Sequence, residues 1–261
     1  MKHLILFLFL IGTTLQSQGS VTVLNGLSHM YSGQSGEEIR GHVVLLNTSD
    51  QTERVRFELN EAIFSCDSSR VFTNREAHSQ SSSAWFASDV MDKELAPNEQ
   101  YIYDYSIHIP EDESLQGSYW TVLMVSVENS VSAEQLMSGV SIDSKVRYAI
   151  GLMTHVNAFD QVQLDFDDVE LALDTLDYAQ ALDIRLKNDG QFIEGVSLIL
   201  EVYDMDGEKV TDIYSDRNMV FPGVCKRYLM DISSLPDGEY YCLLLANARD
   251  EYAGTSISLT L

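Results

Sequence analysis

Apolar and polar residues alternate with a period of two along most of this chain, the spacing of strands that bury one face. Residues 54–59 run Arg-Val-Arg-Phe-Glu-Leu without a break in the alternation. In residues 101–110, Tyr101, Tyr103, Tyr105, Ile107 and Ile109 fall on one face, and Asp104, Ser106 and His108 on the other. Three tyrosines in a row could serve as an aromatic platform. The two isoleucines that continue their face point instead to a core face whose hydroxyls find partners at its edge. The longest alternation sets Val140, Ile142, Val146, Tyr148, Ile150 and Leu152 against Ser141, Asp143, Lys145, Arg147, Ala149 and Gly151, interrupted only by Ser144. It predicts an extended strand over residues 140–152, longer than most. Shorter strands are expected at 21–24, 38–47, 119–127, 162–173, 181–187, 196–203, 208–214, 224–232 and 254–261. Turn residues divide them: Asn47-Thr48, Pro97-Asn98, Asn188-Asp189-Gly190, Asp206-Gly207 and Pro222-Gly223. The fold class this predicts is all-β.

Near the C-terminus, Leu235-Pro236-Asp237-Gly238-Glu239-Tyr240-Tyr241-Cys242 leads into Leu243-Leu244-Leu245. A glycine turn, a tyrosine two residues on and then a buried strand is the local pattern of a tyrosine corner, where a chain enters strand F of an immunoglobulin-like sandwich. Gly117-Ser118-Tyr119-Trp120 repeats the pattern earlier. The two halves superpose as sequences, with Asn47 matching Asn188, Pro97 matching Pro222 and Gly117 matching Gly238. We therefore expect two tandem immunoglobulin-like β-sandwich domains, residues 20–153 and 154–261. The first domain's extra length falls in a Ser-rich stretch, 65–84. A loop that long is usually functional or mobile, and Arg70, Arg75, His78 and Trp85 in and beside it are candidate ligand contacts.

The first residues have a different character. A short polar start at Lys2-His3 precedes an apolar run over 4–11 and small residues at Ser17 and Gly19, the layout of a signal peptide covering 1–19. No later apolar run is long enough to cross a bilayer as a helix, so we expect an exported mature chain not inserted in the membrane. The net charge is −24 over 261 residues, with both halves acidic, which disfavours nucleic acid as a partner. Of the three cysteines, Cys242 occupies the strand-F position, and the matching strand at 181–187 has no cysteine. Two readings stay open, a Cys225–Cys242 bridge or three small buried thiols.

Candidate chemistry is sparse. The six histidines are scattered, with no pair at metal-ligand spacing. No nucleophile elbow or phosphate-binding glycine loop is present. Asp204, Asp206 and Glu208 could approach a calcium ion, but Asp206-Gly207 is more simply a hairpin turn. No enzyme activity, cofactor or metal is expected.

Three resemblances bear on function. The Asn47-Thr48 turn, Leu95-Ala96-Pro97-Asn98-Glu99, Ile109-Pro110 and Gly117-Ser118-Tyr119 resemble the N-terminal domain of periplasmic pilus-assembly chaperones, and also the WxL-interacting surface proteins. The chaperone resemblance implies two immunoglobulin-like domains whose long strand G lends alternating apolar residues to an unfolded subunit. It casts Val140, Ile142, Val146, Tyr148 and Ile150 as partner-binding residues. It also implies two bases that hold the subunit's terminal carboxylate, one on the first strand and one on strand G. Residues 20–32 contain no Lys or Arg, so only the second is assigned, to Lys145 or Arg147. Third, residues 206–210 and 232–240 are similar to sorting domains of secreted Bacteroidetes proteins, and the short leader with Gln18 is similar to a Bacteroidetes one. The expectation is a non-catalytic protein-binding module of the cell envelope, chaperone-like or a scaffold. The alternative is a surface adhesion or glycan-binding module using loop 65–84 and nearby aromatics.

Overall fold

A computed structural model describes residues 20–66, 69–128, 145–173 and 180–261. Its strands are β1 (Val21–Val23), β2 (Ser28–Gly33), β3 (Glu38–Asn47), β4 (Glu53–Phe64), β5 (Arg70–Thr73), β6 (Phe86–Ala87), β7 (Asp92–Leu95), β8 (Gln100–His108), β9 (Gly117–Glu128) and β10 (Val146–Val156) in the first half. The second half holds β11 (Leu164–Leu173), β12 (Gln180–Asn188), β13 (Glu194–Tyr203), β14 (Lys209–Tyr214), β15 (Asn218–Val220), β16 (Cys225–Asp231), β17 (Glu239–Ala248) and β18 (Glu251–Thr260).

Each half is a sandwich of two sheets. In the first, β1-β3-β8-β6 faces β2-β10-β9-β4-β5, with β7 also paired to β4. In the second, β11-β12-β16 faces β14-β13-β17-β18, with β15 also paired to β13. Each sandwich closes on its own core. Val43, Leu45, Phe57, Tyr103, Leu123 and Ile150 fill the first, and Leu186, Leu198, Leu200, Tyr228, Leu244 and Ala246 the second. The tyrosine face of β8 belongs to the first core: Tyr103 is 2% and Tyr105 4% exposed. The fold is two immunoglobulin-like β-sandwiches in tandem.

The matched asparagines have matching jobs. Asn47 is buried at the end of β3, and its Nδ2 donates to Gln51 O, Leu95 O and Ala96 O. Asn188 is buried at the end of β12, and its Nδ2 donates to Phe192 O and Val220 O. Each amide ties the turn after its strand to the segment before Pro97 or Pro222.

The corners differ. Tyr240 Oη donates to Pro236 O at 2.9 Å, a tyrosine corner as its sequence predicts. Gly117 instead begins a contact with the second sandwich. Its φ is +121°, and an added Cβ would lie 2.6 Å from Gln191 O. That close approach is why a glycine stands there.

The cysteines depart from both expectations. Cys66, in the turn between β4 and β5, is bonded to Cys225 at the start of β16, with Cα atoms 4.7 Å apart. Cys242 is a buried free thiol in the second core, and burial pushes it up to about 11. The bridge joins the two sandwiches across 159 residues of sequence.

Candidate functional site

The chain changes sheets early. β1 pairs antiparallel with β3, whereas β2 pairs parallel with β10. Between them the backbone bends at Gly26, φ +89°. Asn25 eases the departure, because its side chain still bonds the edge of β3: Oδ1 accepts from Val44 N and Nδ2 donates to His42 O. Consequently β2 covers β10 only from Gly151 to Val156. On its other side β10 is paired with β9 along its whole length. Residues 146–150 of β10 therefore have no strand on the β2 side among the described residues. Gly151 N donates to Leu27 O at 2.9 Å on that side. By the alternation of a strand, the N–H and C=O groups of Arg147 and Ala149 also point there.

The partner-binding residues expected from sequence divide along this strand. Ile150 is fully buried in the first core, and Val146 and Tyr148 are half-buried against it. The Tyr148 hydroxyl bonds Val21 O of β1 in the facing sheet. Lys145 and Arg147 are exposed. Val140 and Ile142 lie outside the described residues. The strand runs on to Val156, past the residue 152 at which its alternation ends. Thr154 and His155 are both buried there, because the second sandwich covers the outer face of β10 while the core covers the inner one.

That cover is a cluster in its own right. Trp120 meets Phe221 edge-on with ring centres 4.9 Å apart, Phe64 stacks on Phe221 at 4.0 Å, and Met153, Val122 and Ile193 complete it. Polar bonds tie down one side. Ser118 N donates to Gln191 O and Ile193 N donates to Ser118 Oγ, which lies 2.7 Å from His155 Nδ1. Burial, and then the Arg249 guanidinium, hold the His155 imidazole below its ordinary range. Arg249 is itself paired with Glu194 at 2.8 Å.

Beside this cluster lies a cleft between the sandwiches, about 360 Å³, with Phe64, Phe72, Met153 and Phe221 among its walls and Ala149 and Gly151 at the β10 edge. Arg70 and Lys226 stand at its rim, one from each sandwich, next to the Cys66–Cys225 bridge. Burial lowers the Lys226 ammonium from its ordinary range, and Arg70 adds to the effect. The cleft thus offers an apolar wall, a strand edge with no strand partner among the described residues, and two neighbouring cations.

The stretch 65–84 is bound into the structure. Its first part forms β5, paired with β4. Its second part is held along β9, where Trp120 N donates to Gln80 O and Ser82 N to Trp120 O. Gln80 Nε2 also donates to Gln191 O of the second sandwich. His78 stacks on Trp120 at 4.1 Å, its Nε2 is 3.1 Å from Glu61 Oε2, and burial lowers it despite that carboxylate. Trp85 is 9% exposed and packed in the first core. Neither ring is presented on an open ligand surface. Arg75 remains exposed, and Arg70 belongs to the cleft. The stretch is held mainly by its own sandwich, and Gln80 and the Cys66 bridge reach from it to the second.

No family model matches the chain, and no curated protein matches it in sequence. Solved structures do resemble it. One is a chaperone–tip adhesin complex described as vital for synergistic activation of CFA/I fimbriae biogenesis, 8% identical with a TM-score of 0.50, covering 92% of this chain and 98% of that one. Another is the class 5 fimbriae chaperone CfaA, also 8% identical at 0.50, covering 91% of this chain and 98% of that one. A third is a CsuC–CsuE chaperone–tip subunit pre-assembly complex from Acinetobacter baumannii, 12% identical at 0.46, covering 92% and 98%. The two-sandwich architecture is shared with the first two.

Proposed function

We propose that the protein is an exported, non-catalytic polypeptide-binding module, chaperone-like or a scaffold, acting in assembly of the cell envelope or a surface structure. It binds an extended segment of its partner at the uncovered edge of β10. Backbone bonds to Arg147 and Ala149 supply affinity, and alternate side chains of the incoming strand select for fit against Val146 and Tyr148. Arg70 and Lys226, at the rim of the adjoining cleft, receive a carboxylate of the partner, the role that resemblance assigns to Lys145 or Arg147. The chief support is the strand switch at Gly26, which leaves that edge open beside an apolar cleft. The chaperones named among similar structures agree with the reading at the level of fold. Residues 1–19 serve as the export signal, and the protein works in the periplasm or outside the cell.

The test is co-purification from the native envelope. Wild type and Arg147→Ala, which keeps the backbone N–H, retain a stoichiometric protein. Arg147→Pro, which removes the outward N–H, and Val146→Asp lose it. Retention by a folded Arg147→Pro variant would refute the edge-binding reading.

A further inference from the structure

The second sandwich has an open edge of its own. β18 is paired with β17 over all ten residues without a register shift, and no strand pairs with its far side among the described residues. Edge strands are normally blunted by charge, proline or a bulge. β11, at the edge of the facing sheet, carries Asp165, Asp167, Asp168 and Glu170 and a register shift at Phe166/Asp168. β14, at the opposite edge of the same sheet, carries Lys209 and Asp212 and also has a shift. β18 carries one charge, Glu251, and neither proline nor bulge.

Register decides which groups face outward. Gly238 and Leu261 exchange both backbone bonds. The alternating residues Leu259, Ile257 and Thr255 therefore also face β17, and Ser258, Ser256 and Gly254 turn their N–H and C=O groups to the open side. The side chains of those same three residues lie on the exposed face of the sheet. All three are small. Leu245 leans over Gly254 closely enough that an added Cβ would meet its Cδ2 at 2.9 Å. A gutter of about 550 Å³ remains alongside, walled by Tyr203, Tyr241 and Leu243 and floored by Ser256 and Ser258.

We infer that β18 is a second strand-accepting edge, whose occupant is an extended segment of a partner polypeptide with bulky apolar residues at every second position and basic flanks. Large side chains opposite the small row fill the gutter, as aromatic residues do opposite an edge glycine. A second copy of this chain fits badly. Antiparallel self-pairing sets Gly254, Ser256 and Ser258 against the same small residues and leaves the gutter empty, and two chains of net charge −24 repel. The site does not depend on the β10 edge.

The probe is a labelled, end-blocked nonapeptide with Phe and Ile alternating with Thr between terminal lysines, titrated by fluorescence anisotropy. A scrambled peptide with its bulky residues adjacent is the control. Wild type and Arg147→Pro bind the alternating peptide saturably and better than the scrambled one. Ser256→Pro, which removes an outward N–H and leaves the β17 ladder intact, weakens binding roughly tenfold or more. Ser256→Lys keeps the N–H but fills the gutter with a cation that repels the peptide, and it gives the same loss should proline unsettle the strand. The inference is overturned by no binding to wild type, by equal binding of the scrambled peptide, by undiminished binding to both Ser256 variants, or by loss in Arg147→Pro, which would place the peptide on β10. Sedimentation showing a reversible dimer that Ser256→Lys dissolves would make the occupant a second copy and overturn it too.

Discussion

Replacing Asn188 with alanine removes the amide that donates 2.7 Å to Phe192 O and 2.9 Å to Val220 O, both in buried bonds. Asn188 is fully buried, so water does not readily take the place of its amide at those carbonyls. Each buried polar group left without a partner costs roughly 1–3 kcal/mol. With a small cavity added, the total is roughly 3–5 kcal/mol, a large share of the about 5–15 kcal/mol by which domains are stable. Gly190 N, which Asn188 Oδ1 accepts, is nearer the surface, where water can replace the bond. The assay is urea unfolding followed two ways. Both tryptophans, Trp85 and Trp120, lie in the first sandwich, so their emission follows it, while far-UV circular dichroism follows both. The expected midpoint shift is on the order of 2 M urea in the dichroism component of the second sandwich, with a smaller shift in the tryptophan signal. Asn188→Asp, similar in shape but unable to donate, should destabilise at least as much. A shift below about 0.5 M for alanine, or a well-tolerated aspartate, would refute the bonding argument.

Two more outcomes concern the joint between the sandwiches. Cys66→Ser should lower the unfolding midpoint by an amount equivalent to about 2–4 kcal/mol and make the protein indifferent to dithiothreitol, whereas wild type becomes less stable when reduced; equal stability in every state would show that the bridge adds nothing. Acid should weaken the protein through His155 and His78, whose imidazoles are held below their ordinary range by burial. The unfolded chain then binds protons first, so this contribution is intact above the unfolded value of 6.5 and is lost as pH falls from there towards the folded values. Urea midpoints at several pH values should show His155→Gln losing part of that slope, and an unchanged slope in both His155→Gln and His78→Gln would exclude them as the cause.

Much of each sandwich was legible in the chain. Alternation located β4, β8 and the later strands because each buries one face and wets the other. Tyr240, Asn47 and Asn188 could be read because a corner hydroxyl or a capping amide acts within its own sandwich and at a turn with a sequence signature. What the sequence left open depends on neighbours far along the chain. His155 is buried against the alternation because the second sandwich covers the outer face of β10, and Thr154 is a polar residue on the inner, core face. Trp85 and His78 look like surface residues of a Ser-rich loop until Trp120 and the first core close over them. Cys66 and Cys225 are brought together by packing that no spacing rule encodes. The lack of a strand beside residues 146–150 of β10 and beside β18, among the described residues, is likewise not legible from the alternation of either strand. It follows from which strand is laid beside each one, and backbone hydrogen bonds between strands carry no mark in the side-chain pattern.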